Sequence, residues 1–139
     1  MAVSEQDRKE IAAVIEQYRR GFAEMNVEML KGIWDQNYEN ISYIAQEKVQ
    51  AVRGWTEVVQ YYNHVAGLLE RVTSMTIDDL SLDVFGDVAY AFCVFHFEGE
   101  MVGQSQPHIA DGRNTFILHR KSGTWKVIHY HESAPGPLP

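Results

Sequence analysis

The chain has 139 residues, of which 45% are hydrophobic, so we expect one compact domain, 1–139, with a sizeable core. Its formal net charge of −7 argues against the basic surface that nucleic-acid binding requires. The charged first residues contain no apolar signal segment, and no apolar run is long enough to cross a bilayer as a helix. The sequence therefore predicts a cytoplasmic protein with neither a nucleic-acid nor a membrane partner.

The first half of the chain has mainly helical periodicity. Ser4 is a good N-cap, and an apolar stripe with steps of three and four residues follows it from Ile11 to Met25. Asn26 is expected to end this helix and to cap a shorter one. A short strand over residues 38–44 and a third helix over residues 55–69 complete this part of the prediction.

From Val72 onward the periodicity changes to that of strands. Four strands are predicted over residues 75–85, 88–101, 109–120 and 125–133, and the last two are joined by the two-residue turn Ser122-Gly123. This order indicates an α+β fold in which three N-terminal helices pack on a curved, mainly antiparallel sheet. Helices cover only one face of such a sheet, so the other face is expected to meet a second copy in a homodimer.

The C-terminal part of the chain contains a series of short motifs. They are His119-Arg120, Gly123-Thr124-Trp125, His129-Tyr130-His131, Ser133 and Ala134-Pro135. The order of elements resembles the nuclear transport factor 2-like superfamily, and the motifs resemble most closely the association domain of calcium/calmodulin-dependent protein kinase II. This superfamily includes SnoaL-like proteins, ketosteroid isomerases and the association domain of calcium/calmodulin-dependent protein kinase II. The resemblance implies a cone-shaped fold, a deep pocket between helices and concave sheet, and dimers, with larger rings in the association domain.

Two comparisons within the superfamily bear on the pocket. Where the association domain has pocket arginines, this chain has Phe92, Phe116 and Glu132, so the resemblance implies a more apolar pocket. The spacing of Tyr18 and Asn26 matches that of ketosteroid isomerase, whose tyrosine donates a hydrogen bond to a developing oxyanion. The aspartate that moves the proton in that family has no counterpart on the first predicted strand.

Tyr18 and His96 are the two candidate catalytic residues. Tyr18 lies on the apolar stripe of the first helix, where it is either a core tyrosine or a hydroxyl that polarises a ligand carbonyl. His96 interrupts the apolar run Val88–Phe97 and is the one residue of that run that titrates near neutral pH. It is expected to be buried, with a lowered pKa, and to be the general base, unless its part is in packing.

Further residues are predicted to line the pocket. Its aromatic wall is drawn from Trp34, Tyr43, Trp55, Tyr62, Phe92, Phe116 and Tyr130. An unbroken register from the Arg120–Trp125 pair sets Arg113 opposite Glu132. Such a pair is either a structural ion pair or, at the pocket mouth, a means to orient a carboxylate or carbonyl ligand.

The histidines of the sheet suggest a metal site as a weaker hypothesis. His129 and His131 alternate on one strand and therefore share a face, while the same unbroken register points His119 to the opposite face. Structural histidines are thus favoured over a metal centre, and no motif indicates a cofactor. The lone Cys93, in an apolar run, is expected to be a buried, inert thiol.

The leading interpretation is a homodimeric domain that binds a small apolar ligand and transfers a proton on a carbonyl compound. Tyr18 would stabilise the oxyanion, and His96 would move the proton. The alternative is an association module without chemistry, whose apolar sheet surface drives assembly into a dimer or a larger ring. These two hypotheses predict different oligomeric states and different behaviour toward small molecules.

Overall fold

The computed structural model describes residues 3–139, so Met1 and Ala2 of the predicted domain lie outside the described residues. The elements are α1 (Glu5–Ala23), α2 (Val27–Lys31), β1 (Ser42–Ile44), β2 (Val52–Arg53), α3 (Gly54–Leu68), β3 (Leu69–Phe85), β4 (Val88–Met101), β5 (His108–Lys121) and β6 (Thr124–Ser133). The strands form one curved sheet in the order β2-β1-β6-β5-β4-β3, antiparallel except where β1 pairs with β6. The predicted α+β class is confirmed.

The helix starts follow from capping chemistry. The Ser4 hydroxyl accepts a hydrogen bond from the Asp7 amide at 3.1 Å, and Asn26 Oδ1 accepts one from the Met29 amide at 3.0 Å. Both predicted caps are thereby confirmed. Within residues 3–139, none of the helices combines the length and apolar character that a bilayer crossing requires.

The strand predictions differ from the structure mainly at the edge of the sheet. The first predicted strand, 38–44, shrinks to the three residues of β1, and the two-residue β2 was not predicted. β3 begins at Leu69 rather than at Met75 because its polar first residues pair along β4, where Arg71 and Glu100 form an ion pair. Local periodicity is weak in such a polar edge segment, since one side of it faces solvent.

The hairpin of β5 and β6 has the predicted turn. Ser122 and Gly123 both have positive φ, 54° and 79°, which is the left-handed conformation that a two-residue hairpin turn of this kind requires. Arg120 pairs with Trp125 as expected. The predicted register is correct from this turn only as far as Leu118.

A β-bulge then shifts the register of the hairpin. Leu118 pairs with Val127, but the preceding Ile117 pairs with His129, so one extra residue is inserted into β6. Arg113 consequently lies opposite Ser133, to whose hydroxyl it donates a hydrogen bond at 3.1 Å. The predicted cross-strand pair of Arg113 with Glu132 is therefore wrong.

The sheet has an inner face toward the helices and an outer face. On β4, Ala89, Ala91 and Cys93 are fully buried on the inner face, which confirms the buried thiol. The alternate residues Phe92 and His96 lie on the outer face. The predicted burial of His96 is wrong, because its parity on β4 directs it away from the helices.

Candidate functional site

A cavity of about 420 Å³ lies between the helices and the concave face of the sheet. Its wall is formed by Tyr18, Phe22, Tyr43, Gln46, Glu47, Tyr61, Val65, Leu68, Leu69, Met75, Phe95, Phe97, Met101, His108, Ile109, Ala110, Asp111, Glu132 and Ala134. A mainly apolar wall with a few polar groups, at this volume, is typical of a small-molecule site. The cavity lies where the family resemblance implied a pocket.

The structure brings only some of the predicted pocket residues to this wall. Tyr18, Tyr43 and Glu132 line it. Four others, which are Trp34, Tyr62, Phe116 and Tyr130, are buried in the core behind it. They support the wall from the core side. For example, the Trp34 indole N–H donates a hydrogen bond to the Tyr62 hydroxyl at 3.0 Å.

The remaining predicted pocket residues lie elsewhere. Phe92 and Arg113 are on the outer face of the sheet, in a shallow groove with His129 and His131. Trp55 is half-buried in the first turn of α3 and does not reach the cavity. The prediction that these three side chains line the pocket is therefore wrong, since strand parity and helix position direct them away from it.

His96 forms a separate polar cluster on the outer face. Its Nδ1 lies 2.6 Å from Asp111 Oδ1 and its Nε2 lies 3.0 Å from Glu98 Oε2. These two hydrogen bonds raise the pKa of His96, Asp111 making the larger contribution. The lowered pKa expected from burial is wrong, and the sheet separates His96 from Tyr18.

Tyr18 of α1 and Tyr130 and Glu132 of β6 form a chain of hydrogen bonds at the end of the cavity. The hydroxyls of Tyr18 and Tyr130 are 2.7 Å apart, and the Tyr130 hydroxyl donates to Glu132 Oε1 at 2.5 Å. When Glu132 is ionised, the Tyr130 proton lies toward Glu132, so the Tyr18 proton must lie toward Tyr130. Tyr18 then presents lone pairs, rather than a donor, to the cavity.

The environment of Glu132 favours its neutral form. Burial raises the pKa of its carboxyl group, and the charge of Glu47 adds to the effect. The hydrogen bond from Tyr130 and the one from the Gln46 amide, at 3.2 Å to Oε2, act in the opposite direction. Burial also raises the pKa of Tyr18 well above the ordinary tyrosine value, so Tyr18 stays protonated. Glu132 is thus the titratable group of this chain of hydrogen bonds.

Asn114 fixes the arrangement from behind and was not predicted. Burial raises the pKa of the Cys93 thiol to about 12, so Cys93 keeps its proton and donates it to Asn114 Oδ1 at 2.8 Å. The Asn114 amide nitrogen therefore faces Tyr130, to whose hydroxyl it donates at 3.2 Å. A polar residue at the core parity of β5, between apolar inward residues, was the sequence signal for this position.

The mouth of the cavity holds another pair that the sequence did not indicate. The Tyr61 hydroxyl of α3 donates to Glu47 Oε2 at 2.5 Å, from the helix to the loop after β1. Glu47 is exposed and lies in irregular structure, so no periodicity pointed to it. Sequence reasoning finds such pairs poorly, because loop geometry decides which side chains meet.

The histidines of the sheet do not converge. His129 and His131 share the outer face with ring centroids 6.3 Å apart, as their alternation predicted. His119 lies apart from them, where its Nε2 is 2.8 Å from Asp35 Oδ2. Within residues 3–139, no group of three or more His, Cys, Asp or Glu side chains is placed to hold a metal ion.

Comparison with solved structures shows the same fold in proteins of several kinds. A nuclear transport factor 2-like superfamily protein from Salmonella enterica serovar Typhimurium is 19% identical, with a TM-score of 0.84 over 99% of this chain and 96% of that one. A candidate dehydratase of the NTF2-like family from Streptomyces avermitilis is 15% identical, with a TM-score of 0.82 over 96% and 99%. A candidate calcium/calmodulin-dependent protein kinase II association domain from Xanthomonas campestris is 16% identical, with a TM-score of 0.75 over 99% and 95%.

Sequence comparison identifies the family. No protein with a curated description matches this sequence significantly. The family model of the SnoaL-like domain matches residues 11–137, which include the cavity wall and the outer sheet face. The chain therefore belongs to the SnoaL-like domain family, within the nuclear transport factor 2-like fold.

Proposed function

We propose that this protein binds a small, neutral, mainly apolar carbonyl compound in the cavity and transfers a proton on it, with Glu132 as the acid–base group. The observation that carries this proposal is the position of Glu132. Its carboxyl group lies in an apolar cavity wall, has a raised pKa, and is joined through Tyr130 to Tyr18. A carboxyl group tuned toward neutral pH is suited to general acid–base catalysis.

The proposed reaction begins when the Glu132 carboxylate removes a proton from the carbon beside the carbonyl group. The C–H bond breaks, an O–H bond forms on Glu132, and the electron pair moves onto the carbonyl oxygen as an enolate. Neutral Glu132 can then donate to Tyr130, and Tyr130 to Tyr18, so the Tyr18 hydroxyl becomes a donor toward the cavity. Return of the proton to a different carbon of a conjugated enolate completes an isomerisation, whereas its return to the same carbon gives hydrogen exchange.

The charge of the cavity selects against anionic ligands. Glu47 and Glu132 line it, whereas no lysine or arginine of the described chain does. An anion would lose its hydration there and meet like charges, so a neutral ligand is favoured. The likeness in fold to a candidate dehydratase is consistent with proton removal beside a carbonyl group.

The test measures exchange of the acidic C–H hydrogens of 2-tetralone for deuterium in D₂O by proton NMR. Wild type is expected to accelerate the exchange above the buffer rate, and Glu132→Gln is expected to lose at least about 100-fold of that acceleration. The variant His96→Gln separates the two candidate bases, because His96 lies on the other side of the sheet. Loss of exchange in His96→Gln with retention in Glu132→Gln would contradict the proposal.

A second candidate function is self-association through the outer sheet face. The groove there combines the half-buried apolar side chains Phe92 and Ile117 with Arg113, and no element of the described chain covers it. The likeness in fold to a candidate kinase association domain favours this proposal. A dimer formed in this way is compatible with the cavity, which opens on the other side of the sheet.

A further inference from the structure

Tyr43 carries a hydroxyl group that the structure leaves without a partner. Its side chain is 1% exposed and its ring stacks on Tyr130, with centroids 4.5 Å apart. Within residues 3–139, the Tyr43 hydroxyl makes no hydrogen bond, although buried tyrosine hydroxyls usually find one. An unpaired hydroxyl in the wall of a cavity indicates a missing partner.

The Tyr43 hydroxyl is not sealed inside the protein. Among residues 3–139, Gln46 Oε1 is the side-chain polar atom that lacks both a hydrogen-bond partner and exposure to solvent. The Tyr43 hydroxyl also lacks a partner, but it keeps some exposure to solvent. Because Tyr43 lines the cavity and is otherwise buried, its hydroxyl meets solvent through the cavity. A ligand in the cavity can therefore reach it.

The other tyrosines of the cavity wall have their protons engaged. Tyr61 donates to Glu47, and Tyr18 donates to Tyr130 while Glu132 is ionised. Tyr43 is thus the cavity tyrosine whose proton is free in the resting protein. Burial raises its pKa well above the ordinary tyrosine value, so the hydroxyl keeps that proton.

We propose that the Tyr43 hydroxyl donates the hydrogen bond that holds the acceptor oxygen of a neutral ligand before the proton moves. This inference rests on the proposed function, because it names the group that binds the carbonyl oxygen at the same site. Tyr43 on β1 therefore binds the ligand oxygen first, because Tyr18 becomes a donor only after Glu132 has taken a proton. The ligand class is narrowed to compounds whose single acceptor oxygen projects from an apolar ring system.

The test compares the affinities of 2-tetralone and tetralin, which share a ring system but differ in the carbonyl oxygen. Wild type is expected to bind 2-tetralone about three- to tenfold more tightly than tetralin. Tyr43→Phe is expected to abolish that preference. Tyr61→Phe is the matched control, because it removes a hydroxyl from the same wall whose proton is given to Glu47, and it should keep the preference.

An infrared measurement distinguishes a hydrogen bond from Tyr43 to the ligand from a purely structural role of Tyr43. The carbonyl stretch of bound 2-tetralone should lie at lower frequency than that of the ketone in hexane, and Tyr43→Phe should return it toward the hexane value. A wild type that binds neither compound, one that does not distinguish them, or an unchanged stretch in Tyr43→Phe would each overturn the inference. Because these experiments measure binding alone, they are independent of the deuterium exchange that tests Glu132.

Discussion

The folded protein disfavours the ionised form of Glu132, because the side chain is buried. Its native pKa is raised by burial, so the folded state binds more protons than the unfolded chain between the ordinary glutamate pKa and the native value. Stability contributed by this group is full at acid pH and is lost as the pH rises through the native pKa. The side chain that carries the proposed chemistry therefore makes the protein less stable as the pH rises.

The variant Glu132→Gln should remove this contribution to the dependence of stability on pH. At pH 4 we expect it to be less stable than wild type, since an amide replaces the acceptor of Tyr130 and of the Gln46 backbone. At pH 8 the deficit should shrink, because the wild type then carries a buried charge. Urea unfolding at both pH values measures the difference, and a deficit that grows between pH 4 and pH 8 would contradict the raised pKa.

Side-chain positions could be predicted where helical periodicity or strand alternation is unbroken. The predictions failed beyond a single backbone irregularity. Tyr18 was placed correctly because helical periodicity fixes its face over the whole of α1. The prediction for Arg113 failed because the bulge between Ile117 and Leu118 lies between it and the turn that sets the register. Glu132 was predicted as a pocket residue, yet the unbroken register would have turned it outward, and it faces the cavity because of the same bulge.

At the scale of elements, β5 approaches β4 closely beside the cavity. A methyl group at Gly112 would lie 2.2 Å from Cε2 of Phe95, whose ring lines the cavity. The ring cannot stay in place if a side chain is added to Gly112. It has room to turn on one side, because the cavity itself is open there.

The variant Gly112→Ala is therefore expected to close the cavity more than it unfolds the protein. Overpacked substitutions cost about 1–3 kcal/mol, and we expect the low end because Phe95 can swing into the cavity. Binding of 2-tetralone should be lost, as measured by ligand-detected NMR. Gly67→Ala is the control: Gly67 lies in α3 with open space around its Cα, so an alanine there should stabilise by about 0.5–1 kcal/mol. Retained binding in Gly112→Ala would contradict this account.

The elements themselves differ in how well their sequences specify them. β4 was predicted with its observed bounds because the turn at Gly86-Asp87 marks its start and the polar stretch through Pro107 follows its end. β2 escaped prediction because two residues carry no periodicity, and its strand conformation depends on pairing with β1. Short strands of this kind are set by tertiary contacts rather than by local sequence.

For the whole molecule, the outer sheet face determines the expected assembly. We predict a homodimer in which Phe92 lies in the interface, and Phe92→Lys should dissociate it by burying a second cation beside Arg113. Light scattering coupled to size-exclusion chromatography measures the mass. Val49→Lys is the matched control, because Val49 is fully exposed in the loop after β1 and should leave the mass unchanged. A monomeric wild type would remove this proposal without affecting the cavity.

The β-bulge has a consequence for how the family can diversify. Because Val127 and Tyr130 both point inward, one residue of β6 decides which parity faces the cavity beyond that point. Straightening of the strand with that residue kept would turn His129 and His131 inward and expel Tyr130 and Glu132 to the outer face. Loss of the bulge alone would thus exchange a carboxylic acid for a pair of imidazoles at the same place in the same fold. Descendants of one ancestral hairpin can in this way acquire different reactive groups without any substitution in the cavity wall.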